Sequence, residues 1–168
     1  ERGHSSPEAY EEYWNKFYLG SCRFYSNLDR VGGSWYDYVG FDKRRGILFN
    51  RMRSLVLSTA EYDGADCYYL YGQLCDSYHE VDVTLVLDKD DFVVKKASGY
   101  LLRVPDPVCR EAATFVNAVE GKSLLGMQKK TVAHLLQGGN GCVHLIDLIY
   151  EGAETLSYWQ EGQGDLVR

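Results

Sequence analysis

The sequence predicts an α+β domain: an N-terminal helix, an antiparallel β-sheet over residues 20 to 104, and three C-terminal helices packed on one face of it. Three observations carry that expectation. Apolar residues alternate at a period of two through Val81, Val83, Leu85 and Leu87. Turn signals at Asp63-Gly64 and Asp88–Asp91 divide strand-like runs into hairpins. After Val104 the apolar spacing changes to that of helices.

The first helix starts at Ser5 or Ser6, which can cap it, with Pro7 in the first turn and Glu8 in capping-box register with Ser5. Tyr10, Tyr13, Trp14, Phe17 and Tyr18 form an aromatic stripe at helical spacing, read as packing rather than ligand stacking. Three hairpins are expected next. They are Cys22–Asp29 with Trp35–Phe41 across Gly32-Gly33, Ser54–Tyr62 with Cys67–Leu74, and Glu80–Leu87 with Phe92–Leu102.

Asp106 and Pro107 supply a cap and first turn for a helix whose apolar face is Cys109, Ala112, Ala113, Val116 and Val119. Ser123 caps the next, running through Leu125, Val132, Leu135 and Leu136 to Gly138. The last carries Leu145, Leu148, Ile149, Gly152, Ala153 and Leu156 on one face, and the polar stretch from Gln160 is expected to fray. The 168 residues read as one domain: 1–52 a helix-and-hairpin extension, 53–158 the core and 159–168 a polar tail.

Composition excludes several classes of function. A net charge of −6, with only Arg44-Arg45 and Lys129-Lys130 locally basic, argues against nucleic acid. No apolar run approaches the ~20 residues needed to span a bilayer, so no membrane association is expected. Glu1–Pro7 is polar, without the apolar region of a signal peptide. The five cysteines, odd in number and widely spread, point to a reducing cytoplasm rather than a disulfide framework.

Chemistry concentrates where Gly138-Gly139-Asn140-Gly141 breaks one helical pattern and Cys142-Val143-His144 opens the next. A thiol at a helix start feels the positive end of the macrodipole, which favours thiolate. Asp147 stands three residues beyond His144, where a carboxylate can orient an imidazole. Cys109 opens its own helix, and the sheet offers Cys75, Asp76 and His79 before its clearest strand. Cys109, Cys142, His144, His79 and Cys75 therefore form a candidate ligand set for zinc or an iron–sulfur cluster. The sulfurs of Cys109 and Cys142 are expected to converge with His144 or His79. Against this stands core packing, a common use of free cysteine, to which Cys22 and Cys67 are assigned outright.

At these residues the chain resembles a bacterial domain family of unknown function over Arg53 to about Leu156. The resemblance rests on Gly141-Cys142-Val143-His144-Leu145, where the family has threonine in place of Val143. It rests also on Pro105-Asp106-Pro107-Val108-Cys109 and on Leu124-Leu125-Gly126. More distantly, the order of elements is similar to that of NifU- and SufE-type proteins, the former being iron–sulfur scaffold domains. That likeness implies Cys109 as the middle ligand and Cys142 with His144 as the last. The strand-start cysteine and aspartate of those domains correspond only approximately to Cys75, Asp76 and His79.

The leading expectation is thus a zinc- or iron–sulfur-binding scaffold or accessory protein, acting with an unidentified protein partner or small molecule. One alternative is a cysteine-nucleophile enzyme for acyl or sulfur transfer, with Cys142 attacking, His144 or His79 as base and Asp147 as orienter. Another is a small-molecule or protein-binding module whose aromatic residues line a pocket.

Overall fold

The computed structural model describes residues 6–40 and 49–166, with side chains in the last helix as far as residue 162. In chain order the elements are α1 (Pro7–Phe17), α2 (Trp35–Val39), β1 (Arg51–Tyr62), β2 (Ala65–Asp76), β3 (Glu80–Asp88) and β4 (Val94–Arg103). A 3-10 helical stretch (Pro107–Val119), α3 (Lys129–Leu135) and α4 (Val143–Leu166) follow. The α+β expectation is met: a sheet with strand order β1-β2-β3-β4, antiparallel at every pairing, and helical segments behind it.

Register decides which residues meet the helices. Leu70 pairs with Leu57 and Leu85, Gly72 with Leu55 and Val83, and Leu74 with Arg53 and Val81. Successive side chains alternate between faces, so these rows share one face with Ala97 and Leu101 of β4. Against them lie Leu145, Leu148, Ile149, Ala153 and Leu156 of α4, and Ala112, Val116 and Val119 of the 3-10 stretch, all buried. Removing so much apolar surface from water is what holds the two layers together. The opposite sheet face leaves Met52, Val56, Tyr71 and Tyr100 exposed. Among the described residues, no helix is long and apolar enough to cross a membrane.

The two hairpins of the sheet fall where the turn signals place them, and Asp63 and Gly64 both take positive φ between β1 and β2. The first expected hairpin does not form. Residues 22–29 make consecutive turns, and Trp35–Val39 is helical; Phe41 lies outside the described residues. Capping overrides the β-propensity of this aromatic run. The Ser34 hydroxyl accepts from the Asp37 amide at 3.1 Å, and a Glu11 carboxylate oxygen of α1 accepts from the Ser34 hydroxyl and the Tyr36 amide.

Two other boundaries differ. Gly126 at φ 68° stops a helix from starting at Ser123, so α3 begins at Lys129, while the Ser123 hydroxyl donates to the Asp91 carbonyl. The last helix continues past Gln160 to Leu166 instead of fraying there. The remaining caps form as expected. Ser6 accepts from the Ala9 amide at 3.2 Å, and Asp106 accepts from Val108 at 2.8 Å and, across the fold, from Gly32 at 2.9 Å.

Candidate functional site

The β2–β3 turn builds one half of the site. Asp76 ends β2 on its inner face, and its Oδ1 accepts from the amides of Tyr78 at 2.7 Å and His79 at 2.6 Å, closing an Asx turn. The same oxygen lies 3.2 Å from His79 Nδ1. Asp76 Oδ2 accepts from Arg51 Nε at 3.0 Å and Nη2 at 2.7 Å. With its side chain 0 % exposed, this carboxylate is fully occupied. It fixes the His79 ring and leaves Nε2 to face elsewhere.

The glycine loop delivers the other half. A Cβ on Gly141 would stand 1.9 Å from the Leu136 carbonyl oxygen, and one on Gly139 would stand 2.0 Å from that of Gly20. Only glycine lets the backbone pass at both points. The Arg23 amide then bonds the Gly141 carbonyl at 2.7 Å, and the Ser26 hydroxyl bonds that of Gly139 at 2.6 Å. The loop thereby clasps the N-terminal segment and sets α4 in place. His144, in the first turn of α4, meets His79 with ring centroids 4.3 Å apart.

Among the described residues, Asp76, His79 and His144 form a group whose potential ligand atoms lie within 4.8 Å of one another. Burial pushes the His144 imidazole down to about 4, with the His79 ring and Arg51 adding to the effect. Burial also lowers His79, against the opposing pull of Asp76. For Asp76, burial acts upward but is outweighed by the amide bonds and Arg51, so its carboxyl is held low. Both imidazoles are therefore neutral at pH 7, the form that ligates metals. His144 Nδ1 is buried and has no hydrogen-bond partner.

A cavity of about 440 Å³ opens beside this group. The family-like core contributes Tyr78, His79, Leu101, Cys109, Cys142 and His144 to its lining, and the N-terminal segment contributes Trp14, Tyr25 and Trp35. The helical stripe read as packing is thus also a cavity wall, through Tyr10, Trp14 and Tyr18. Trp35 reaches this wall from a helix rather than from the expected strand, as one of the aromatic residues that the binding-module alternative places around a pocket.

Of the residues singled out from sequence, the structure brings together Asp76, His79 and His144. Cys109 and Cys142 line the same cavity, and with them Cys22, but no thiol belongs to the close group with the imidazoles. Cys67 is fully buried, as its assignment to packing requires. Cys75 sits one residue from Asp76 in β2 and so faces the other side of the sheet, where its sulfur accepts from Arg103 Nη2 at 3.4 Å.

Asp147 does not hold the imidazole. Its oxygens are engaged by Lys129 Nζ at 2.7 Å and Arg53 Nη2 at 3.4 Å. Nor does the helix start produce a thiolate. Burial pushes Cys142 up to about 11, overriding the favourable Leu145 and His144 amides, and pushes Cys109 up to about 12. Desolvation outweighs the terminus dipole because both cysteines are buried.

A family model described as "Protein of unknown function (DUF2889)" matches residues 72–157, which span β2 from Gly72 through most of α4. No curated protein and no solved structure matches the chain.

Proposed function

Because the chain belongs to the DUF2889 family, whose description assigns no activity, we propose a function from the site itself: binding of a transition-metal dication, zinc foremost, at the floor of a ligand cavity. The observation that carries this reading is the convergence of His79 and His144, with Asp76 bonded behind His79. A carboxylate–histidine–metal arrangement orients the ring and strengthens it as a ligand. The orphaned His144 Nδ1 adds a buried nitrogen for which a cation is a suitable partner. Two imidazoles leave coordination positions for water or a bound molecule, and a cation there would polarise an oxygen of that molecule.

Zinc is preferred over an iron–sulfur cluster because the converging donors are imidazole nitrogens, whereas clusters are held chiefly by thiolates. The NifU-type resemblance supports the reading through the order of sheet and helices. The Gly141-Cys142-Val143-His144-Leu145 segment supports it by lying within the family-matched residues and carrying a proposed ligand. A bacterial cytoplasmic setting fits five free cysteines. A Cys142 nucleophile is the weaker alternative, since burial keeps its thiol protonated.

The test is zinc titration by calorimetry of untagged full-length protein, with elemental analysis of the purified chain. One zinc per chain is expected for the wild type, with binding at least about tenfold weaker in His79→Ala and in His144→Ala. Wild-type protein that neither retains nor takes up a divalent metal sinks the proposal.

A further inference from the structure

The cavity beside the two histidines has walls and charges that select for one kind of molecule. Its volume of about 440 Å³ falls within the ~300–1,000 Å³ usual for small-molecule sites. Trp14, Tyr18, Tyr25, Trp35, Phe49 and Tyr78 supply aromatic surface, which favours the offset and edge contacts of another ring. Rings could equally cage a cation. The charges argue otherwise: Arg23 and Arg51 are among the described lining residues, and no aspartate or glutamate is.

This bias runs against the whole chain, whose net charge is −6. The partners of the arginines, Glu111 and Asp76, are not lining residues. Three buried nitrogens of the lining also have no hydrogen-bond partner: Trp14 Nε1, Arg23 Nε and His144 Nδ1. Arg23 Nε can only donate, so it calls for an acceptor. A buried donor left unsatisfied costs free energy that a bound acceptor restores.

We infer that the cavity binds a planar aromatic carboxylate, its ring against the aromatic walls and its anion toward the arginine and histidine side. The inference rests on reading this pocket as a ligand site, and deepens that reading by naming the ligand class. Arginine favours carboxylates geometrically as well as electrostatically.

Tryptophan quenching in full-length Trp159→Phe protein tests it. Trp159 packs on Tyr68 and Phe92, away from the cavity, so the remaining Trp14 and Trp35 report from its wall. The probes are 4-nitrobenzoate and 4-nitrobenzylammonium, with octanoate as a competitor lacking a ring. Titrations are run after EDTA treatment and again with zinc. Saturable quenching by 4-nitrobenzoate is expected in both conditions, at least about tenfold tighter than by the ammonium or than octanoate competes.

Phe49→Ala, which removes a half-exposed wall, should weaken 4-nitrobenzoate several-fold without changing the circular dichroism. Ammonium or octanoate binding as tightly as 4-nitrobenzoate, or quenching that never saturates, overturns the inference. Selective 4-nitrobenzoate binding in a protein that takes up no zinc would leave the inference standing and defeat the metal reading alone.

Discussion

The imidazoles of His79 and His144 meet edge to face, with ring centroids 4.3 Å apart and planes inclined at 63°. One ring comes from the turn before β3 and the other from the first turn of α4. Their contact therefore depends on how the last helix seats on the sheet. The His79 ring adds to the cost of charging His144, on top of the burial that lowers both imidazoles.

Asp76 is the residue through which the turn and β1 act together. Asp76→Ala leaves Arg51, the Tyr78 and His79 amides and the His79 ring without their acceptor. A loss of about 2–4 kcal/mol in urea unfolding is expected. Asp76→Asn keeps one oxygen acceptor and should lose less stability, yet weaken zinc about 10–100-fold, because the ring loses its anionic orienter. Unchanged zinc affinity in Asp76→Asn would show that the carboxylate does not act through His79.

The glycine loop gives a steric prediction. Gly141→Ala forces a methyl group against the Leu136 carbonyl oxygen and should cost about 2–4 kcal/mol. Gly33→Ala, with nothing within 4 Å of the added carbon, should stay within about 0.5 kcal/mol of the wild type. Thermal melts of the two variants side by side test this, and equal stability of both would refute the close passage.

Cys109 should resist alkylation. With its thiol pushed up to about 12 by burial, iodoacetamide at pH 8 should modify it far more slowly than the same cysteine in urea-unfolded protein. The folded state holds this proton more tightly than the unfolded state, where the thiol ionises near ~8.5. The stability it contributes is present below that value and declines as pH rises toward about 12. Peptide mapping by mass spectrometry reads the first effect and alkaline urea titrations read the second.

Glu111 ties the N-terminal segment to the 3-10 stretch by pairing with Arg23 and Arg30. Those two guanidiniums hold its carboxyl down to about 2. Its pairing is therefore complete above the ordinary glutamate value near ~4.3 and is lost as pH falls toward about 2. Glu111→Gln at pH 7 should speed amide hydrogen exchange in residues 23–30 while leaving the β3 amides protected. Equal exchange in both proteins would mean that the clasp of the glycine loop holds this segment unaided.

Local pattern carried much of the fold. Alternation in Val81–Leu87, the turn residues Asp63-Gly64 and the caps Ser6 and Asp106 each act within a few residues, so they were legible without any tertiary contact. Cys109 was legible as buried on its helical face, but the protonation of Cys109 and Cys142 was not, because it depends on how far the surrounding elements exclude water.

Where local signals competed, only the assembled chain decided. Trp35–Val39 has the composition of a strand but is capped by Ser34 and by Glu11 from another helix, a partner that sequence spacing cannot supply. Asp147 stands at the right interval for His144, yet Arg53 from β1 and Lys129 from α3 take its oxygens. From Arg51 onward the sequence by itself determined the order of strands and helical segments, because short-range periodicity encodes the face each element buries. Which imidazole, carboxylate and aromatic ring share one cavity was decided by tertiary structure alone, since strand register and helix seating bring together residues that no local spacing relates.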